Sequence, residues 1–381
     1  MEIIQVVDLF SGCGGLSYGF HKLENEFKIC GAIDFDANAN KTYEKNFNIR
    51  PDEIDLVNID ANILVQKYNL DKSSPILFIG GPPCQGFSSH KKKDKRKDAR
   101  NSLVLKYCEI GINVNADVIL MENVPDLFAK KHWKHYSQAL MLLEESNYNV
   151  VSGIVNMAEF GVPQERFRAI VIAMKGHTPL LPTGTLSRSQ FKTVRDAIGS
   201  LPRIESGEKS QDDPMHITSN HRKATIEIFK QIPLDGGSRP KGVGPKCLDK
   251  VKGFYDVYGR LFWDMPAVTI TSRCRTPSCG RFLHPEQNRG LSVREAALLQ
   301  GFPKDFYFKG TFDDKFKQIG NAVPPIFSQY LAKHVFKLFL KKKVNGYNCK
   351  ITSPISNSFS TLIAQIKHGD TQLNDVVSKK L

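Results

Sequence analysis

Seven short apolar runs alternate with amphipathic stretches across residues 1–176, and this alternation restricts the possible folds more than any other property of the chain. The runs are 3–8, 27–33, 54–59, 75–79, 117–121, 149–156 and 168–174. Each reads as a strand, and strands separated by helical patterns predict an α/β fold with a doubly wound, mostly parallel sheet. The texture changes near His177. Residues 177–260 are rich in Gly, Pro, Ser and Lys and lack strong periodicity, which predicts a second, smaller, loop-rich domain. Short helices are expected over 193–199 and 222–231. Periodicity returns over 291–300, where Ser292 is the expected N-cap, and again over 326–340. The polar tail 344–381 receives no assignment, and no internal repeat is present.

A chain of 381 residues is long enough for a full core and two domains. Its 53 Lys and Arg against 39 Asp and Glu leave a formal charge of +14. That excess suits a polyanionic partner, most simply nucleic acid, although a Lys-rich protein without such a partner explains the charge equally well. No apolar run approaches the ~20 residues that cross a bilayer, so no membrane association is expected. Met1 leads directly into the first strand without a signal peptide, so the expected compartment is the cytoplasm. The eight cysteines should then be mostly free thiols. Cys247, Cys274, Cys279 and His284 could be drawn together as a zinc set. Their spacing is irregular and no Cys-x-x-Cys pair exists, so no metal is expected.

Two loops carry the chemistry. The first, Asp8-Leu9-Phe10-Ser11-Gly12-Cys13-Gly14-Gly15, joins the first strand to a helix, a usual nucleotide site. Ser17 stands where a dinucleotide fingerprint has its third glycine, so a pyrophosphate is not the obvious ligand. The loop suits a nucleoside whose tail lies along the backbone. Asp34 ends the second strand, where a carboxylate takes both ribose hydroxyls, and Phe35 beside it offers a ring face to an adenine. Asp60 is expected to end the third strand and to accept the adenine amino group. Each carboxylate alone is equally well an ordinary turn residue; three at successive strand ends are much less so.

The second loop is Gly81-Pro82-Pro83-Cys84-Gln85-Gly86-Phe87-Ser88, which bends sharply after a strand and makes Cys84 a candidate nucleophile. A helix N-terminus after Ser88 or a nearby arginine would favour its thiolate. Arg166 and Arg168 alternate at the start of a strand and should share one face. Glu122 follows the strand 117–121 and is the acid/base candidate; alone it would equally be a surface or capping glutamate. Six of the seven residues 91–97 are basic. Such a run is ordinarily a solvated loop, and after a nucleophile it also suits closure over a phosphate backbone.

These residues resemble the cytosine carbon-5 DNA methyltransferases of bacterial restriction–modification type. The match runs through D-L-F-S-G-C-G-G at 8–15, G-P-P-C-Q-G-F-S at 81–88, R-N-S-L at 100–103, E-N-V at 122–124 and Q-E-R-F-R at 164–168. It continues with R-G-L-S-V-R-E-A-A-L-L-Q-G-F-P at 289–303 and Q-I-G-N-A-V-P-P at 318–325. It spans about 1–340 and lacks only the variable segment. The resemblance implies a Rossmann-like, S-adenosyl-L-methionine-dependent methyltransferase fold. It implies Cys84 as nucleophile, Glu122 at cytosine ring nitrogen 3, and Arg166 and Arg168 around the base and thiolate. It places Phe10, Gly12, Gly14, Asp34, Phe35, Asp60, Pro82, Asn321 and Val323 around the cofactor, with Asp8 opening the same loop. Family members commonly carry Glu at the position of Asp34 and often Trp at Phe35; both departures keep the chemistry.

The implied layout is a catalytic domain 1–176 completed by 316–343, with 177–315 reading the DNA target. Arg239, Lys241, Lys246 and Arg273 are candidates for phosphate or base contacts, and solvated surface is at least as good a reading of each. The expected partners are double-stranded DNA, from which the target cytosine is flipped, and a cognate restriction endonuclease. The chain is expected to act as a monomer, nucleoid-associated in the cytoplasm. The alternative is the tRNA-methylating branch of the family, which typically carries a Cys-Phe-Thr tripeptide. None occurs here, and the glycine-rich segment 233–247 suits a DNA reader better. A non-catalytic DNA-binding relative is opposed by the intact Cys84 and Glu122, and a nicotinamide-dependent oxidoreductase by Ser17.

Overall fold

A computed structural model describes residues 3–57, 59–83, 103–250, 256–342 and 344–360. Cys84 and the basic run 91–97 lie outside the described residues.

Among the described residues, six strands form one sheet in the order β2-β1-β3-β4-β6-β5. They are β1 (Ile4–Leu9), β2 (Phe27–Ile33), β3 (Ile76–Gly80), β4 (Val118–Asn123), β5 (Asn149–Asn156) and β6 (Phe167–Met174). β1 pairs in parallel with β2 and β3, and β3 with β4. β6 runs antiparallel to both β4 and β5. Every residue of β1, β3 and β4 is buried, as a sheet covered on both faces requires. The helices of this part include α1 (Ser17–His21), α2 (Ala37–Phe47), α3 (Ala61–Lys67), α4 (Leu103–Val114) and α5 (Trp133–Glu145). Strand order reverses between β1 and β3, and in open α/β sheets ligands bind at the carboxyl ends of the strands beside such a reversal.

Among the described residues of 54–59 the expected strand does not form. The Asp55 side chain accepts from the Val57 amide at 3.0 Å, a local bond that competes with sheet pairing. Nearby, Asp52 makes an isolated parallel bridge with Ile33. Leu56 and Ile59 are still buried in the main core, which accounts for the apolar run.

The later half begins with β7 (Leu181–Pro182), α6 (Val194–Ile198) and α7 (Lys223–Lys230) and then runs mostly as turns to α8 (Val293–Leu299). α9 (Phe312–Asn321) and α10 (Pro325–Phe339) follow; the sequence pattern anticipates α10 and misses α9. One apolar cluster joins Cys13, Ala32, Tyr43 and Phe47 to Trp263, Phe302, Phe306 and Phe316, so the two halves share a core. α10 lies against α1, with the Gly19 amide donating to Ser328 Oγ at 3.0 Å. The strand β8 (Gly346–Tyr347) pairs with β7, and Cys349, Ile351 and Ile355 enter the main core. Part of the polar tail is therefore folded. Among the described residues, no helix is long and apolar enough to cross a membrane.

Ser292 caps α8 as expected, in a reciprocal capping box with Glu295. Glu295 is buried and takes a two-pronged contact from Arg289, Nη2 to Oε1 at 2.7 Å and Nη1 to Oε2 at 2.8 Å. Burial alone would raise the Glu295 carboxyl. The charge and hydrogen bonds of Arg289, with His284 and the Ser292 amide, prevail and hold it at about 2 against an ordinary 4.5. A carboxyl held low stabilises the fold above the ordinary value and loses that contribution as pH falls through the interval. The gap corresponds to about 3 kcal/mol. Denaturant melts should therefore lose about that much between pH 4.5 and 2 from this group. Glu295→Gln should be weaker by about 3–5 kcal/mol at pH 7, since Arg289 is left buried without its anion, and its acid leg should be flatter. Superimposable pH profiles for the two proteins would refute the assignment.

Candidate active site

A cleft of ≈ 1730 Å³ opens along the carboxyl ends of β1, β2, β3 and β4. Its floor is built by the first loop. Phe10 turns the chain at the end of β1 with φ +67°, a strained value for a bulky residue. Gly12, at φ +53°, has open space where a side chain would project. A Cβ on Gly15 would stand 2.3 Å from the Val323 carbonyl oxygen, so only glycine allows the 322–323 turn to lie against the loop.

Asp34 follows β2 and lines the cleft. Its Oδ2 accepts from the Gly12 amide and its Oδ1 from the Asp36 amide, both at 2.8 Å. These bonds orient the carboxylate and leave a lone pair on each oxygen. Phe35 beside it is 63 % exposed, an unusual cost for a ring in a folded chain, and it borders the cleft. Asp8 also lines the cleft but is buried. Burial pushes its carboxyl up to about 8. Oδ2 accepts from Ser17 Oγ at 2.5 Å, and Ser17 in turn meets the Tyr43 hydroxyl at 2.7 Å. Asp8 Oδ1 has no hydrogen-bond partner among the described residues. A cleft with an orphaned buried carboxyl oxygen, an exposed ring and an oriented carboxylate fits a nucleoside carrying an ammonium group. Asp60 is placed elsewhere. It is exposed, caps α3 by accepting from the Asn62 amide at 2.9 Å, and does not line the cleft. Since the described residues of 54–59 form no strand, no strand end carries it into the site.

The reacting end is set by β3, β4 and β6. Gly80 pairs with Met121, so the loop that carries Cys84 in sequence leaves the sheet beside Glu122. A Cβ on Gly81 would lie 3.5 Å from Glu122 Oε2, and Asn123 Nδ2 donates to the Pro82 carbonyl at 3.1 Å. Arg168 Nε meets Glu122 Oε1 at 2.9 Å. The pair is largely shielded from solvent, with side chains 14 % and 11 % exposed. It is held in register by the antiparallel β4–β6 ladder, in which Glu122 faces Ile170.

Arg166, just before β6, also lines the cleft but has different partners. It is fully buried and donates to the carbonyls of Ile270, Gly320 and Ala322 at 2.9, 3.1 and 3.2 Å. It thus ties the 164–168 segment to the later half and holds the turn at Asn321. Gln300 adds a bond to the Ala322 carbonyl at 2.6 Å, and Gln164 bonds Gln300 at 2.7 Å. The seam continues between α2 and α9, where Lys317 pairs with Asp36 at 2.6 Å and Thr42 donates to Gln318 at 2.6 Å.

Asp126, Lys131, His132, Lys317 and residues 357–360 also line the cleft, and sequence reading missed all of them. For Asp126 the signal was present, four residues beyond Glu122; for the others there was none. The expected DNA contacts diverge. Arg239 is engaged by Asp249 at 2.8 Å, whereas Lys241, Lys246 and Arg273 are exposed. The four candidate zinc ligands are not brought together. Among the described residues, no group of three or more His, Cys, Asp or Glu is arranged to hold a metal ion.

Residues 4–337 match the family model of the C-5 cytosine-specific DNA methylases. The chain is 34 % identical over 346 residues to a type II methylase, M.HgiDII, of Herpetosiphon aurantiacus, covering 88 % of this chain and 96 % of that one. It is also 34 % identical to the type II methyltransferase M1.HphI of Haemophilus parahaemolyticus, covering 87 % and 86 %. Among solved structures it resembles an E. coli protein described as a DNA modification methyltransferase encoded within a prophage. That likeness has a TM-score of 0.69 at 25 % identity and covers 88 % of this chain and 99 % of the other. A likeness to S. pombe Dnmt2, TM-score 0.58 at 18 % identity over 88 % and 98 % of the two chains, bears on the fold alone.

Proposed function

The chain belongs to the C-5 cytosine-specific DNA methylase family and is a DNA (cytosine-5)-methyltransferase, and from that premise we propose how its own residues carry out the transfer. The fold and family are those of S-adenosyl-L-methionine-dependent enzymes. Asp8, Phe10, Gly12, Asp34, Phe35, Pro82, Asn321 and Val323, which line the cleft, would hold that donor, and Gly14 would shape the loop behind them, where a Cβ would stand 2.1 Å from Phe47. Asp34 takes the ribose, Phe35 the adenine face, and the orphaned Asp8 oxygen the ammonium. When bound, the donor supplies a methyl group on a sulfonium, an electrophile open to displacement by carbon.

Cys84 does the covalent work. Carbon 5 of cytosine is a poor nucleophile. Addition of the Cys84 sulfur to carbon 6 forms the S–C6 bond and moves the ring electron pair toward carbon 5. Glu122 holds a proton at ring nitrogen 3 and so neutralises the charge that the addition places there. Arg168 orients that carboxyl and keeps it from turning out of the cleft. Carbon 5 then bonds to the methyl group, whose bond to the sulfonium breaks and leaves a neutral thioether. Loss of the carbon-5 proton to solvent returns its electron pair to the ring, the S–C6 bond breaks with the sulfur leaving as thiolate, and the nitrogen-3 proton returns to Glu122, so the product is 5-methylcytosine. Arg166 acts at one remove, by holding the turn at Asn321. A cytosine inside a duplex cannot reach these groups, so it must be flipped out at a cost of a few kcal/mol. The basic excess of the chain helps offset that cost through phosphate contacts. Residues 177–315 read the target, with Lys241, Lys246 and Arg273 available to DNA. A restriction endonuclease with the same target is the expected partner.

The Glu122–Arg168 pair beside the loop that leads to Cys84 carries this reading. Bisulfite sequencing of DNA from cells expressing the protein should show unconverted cytosines at one recurring sequence. Complete conversion everywhere, or methyl label appearing in tRNA and not in duplex DNA, would overturn it.

A further inference from the structure

We propose that Phe359, carried by the folded segment 344–360, is a positioning residue for the Glu122–Arg168 pair; this rests on the reading of that pair given above. The segment lies beyond residues 4–337 matched by the family model, yet it is anchored at several points. β8 pairs with β7, and the Ile351 amide donates to Ser152 Oγ at 2.9 Å. The Ile355 amide donates to the Phe128 carbonyl at 3.1 Å, and the Lys130 amide to the Ser356 carbonyl at 2.8 Å. Ile351 and Ile355 are buried in the main core. The chain then passes along the cleft, which Asn357, Ser358, Phe359 and Ser360 line.

Phe359 touches β6, which bears the arginine, and the turn that follows β4, which bears the carboxylate. Its ring stands 5.5 Å from that of Phe167, tilted by 51°. Phe167 is the residue before Arg168, and its carbonyl accepts from Arg168 Nη1 at 2.7 Å. The Phe359 amide donates to Asp126 Oδ1 at 3.2 Å, and Asp126 stands just after the β4 end that presents Glu122 and Asn123. One residue thus bridges the ends of β4 and β6 outside their ladder. Without its ring, Phe167 loses a packing partner and the arginine gains freedom to swing. An ion pair that must meet a ring nitrogen is sensitive to such motion, and a misplacement of about 1 Å costs up to about a hundredfold in rate.

The test uses the full chain carrying Phe359→Ala, Phe359→Leu or Glu122→Gln, with kcat, KM for donor and for DNA, and melting temperature measured for each. Phe359→Ala is expected to lower kcat by about tenfold to a hundredfold with both KM values and the melting temperature nearly unchanged, and Phe359→Leu to recover most of the loss. If Phe359→Ala turns over like the parent while Glu122→Gln is inactive, the proposal is wrong and the site reading stands. Loss of kcat accompanied by a matching rise in KM and a lower melting temperature also overturns it, since that is general loosening. If Glu122→Gln itself turns over like the parent, the underlying reading of the site fails.

Discussion

Replacing Cys84 with serine abolishes methyl transfer, with a loss of roughly 10⁴-fold or more in kcat, while duplex DNA is still bound. The expectation follows from electron flow. Without a bond from the enzyme to carbon 6, carbon 5 has no electron pair to offer. An alcohol is far less ionised than a thiol near neutral pH and adds far more slowly. Phosphate and groove contacts do not involve this atom, so binding persists. The two readouts are incorporation of labelled methyl groups and electrophoretic retardation of a target duplex. A companion result uses 5-fluorocytosine at the target position. Fluorine cannot leave as a proton does, so the alkylated adduct persists and a denaturant-resistant protein–DNA band accumulates with the parent protein. Serine at position 84 should yield no such band. Turnover retained by the serine variant would remove the nucleophile from the account.

Glu122→Gln should lower kcat by roughly 10² to 10⁴-fold, the range typical of losing a positioned proton-transfer group. The amide keeps the size and one acceptor of the carboxyl, so β4 and its pairing with β6 are undisturbed. What it lacks is an acidic oxygen that can pass a proton to ring nitrogen 3 and take it back, and the negative charge that holds Arg168, 2.9 Å away, whenever that proton is on the base. The arginine would be left partly buried without its anion, at a stability cost of about 1–3 kcal/mol. KM for DNA should change little, because the pair engages the base only once it is out of the helix. A variant that stays folded by melting temperature and turns over within tenfold of the parent would show that nitrogen 3 is managed by another group. Together the two substitutions separate the covalent step from the electrostatic one. The Cys84 variant should form no adduct, whereas the Glu122 variant should form it slowly.

Much of the fold was legible because strands buried on both faces need continuous apolar runs, and six of the seven runs are strands. The failure at 54–59 is instructive. Leu56 and Ile59 are buried as the run implied, but burial does not specify pairing, and the Asp55 side chain satisfies a backbone amide locally. The same misreading displaced Asp60, which was assigned to the site by its supposed strand end and instead caps α3. Helix α9 went unseen although it has polar and apolar faces; its motif was read for Asn321 and Val323 and not for periodicity. The tail was judged by its polarity. Cys349, Ile351 and Ile355 are spaced among polar residues, and they join the main core only where the folded chain brings them against β5 at Ser152 and against Phe128.

Residue chemistry and local pattern determined a mostly parallel sheet, a glycine loop after its first strand, a cysteine after β3 in the chain and a carboxylate at the end of β4. Those properties are written in runs of a few residues, where sterics and side-chain type act locally. Tertiary structure decided which arginine meets the carboxylate, since Arg166 and Arg168 are two residues apart and chemically identical. Both line the cleft, but Arg168, inside β6, meets Glu122, whereas Arg166, just before the strand, donates to carbonyls of residues 270, 320 and 322. It also decided that residues 357–360 border the site, because contacts between positions more than 200 apart depend on how the whole chain closes and leave no mark in either stretch alone.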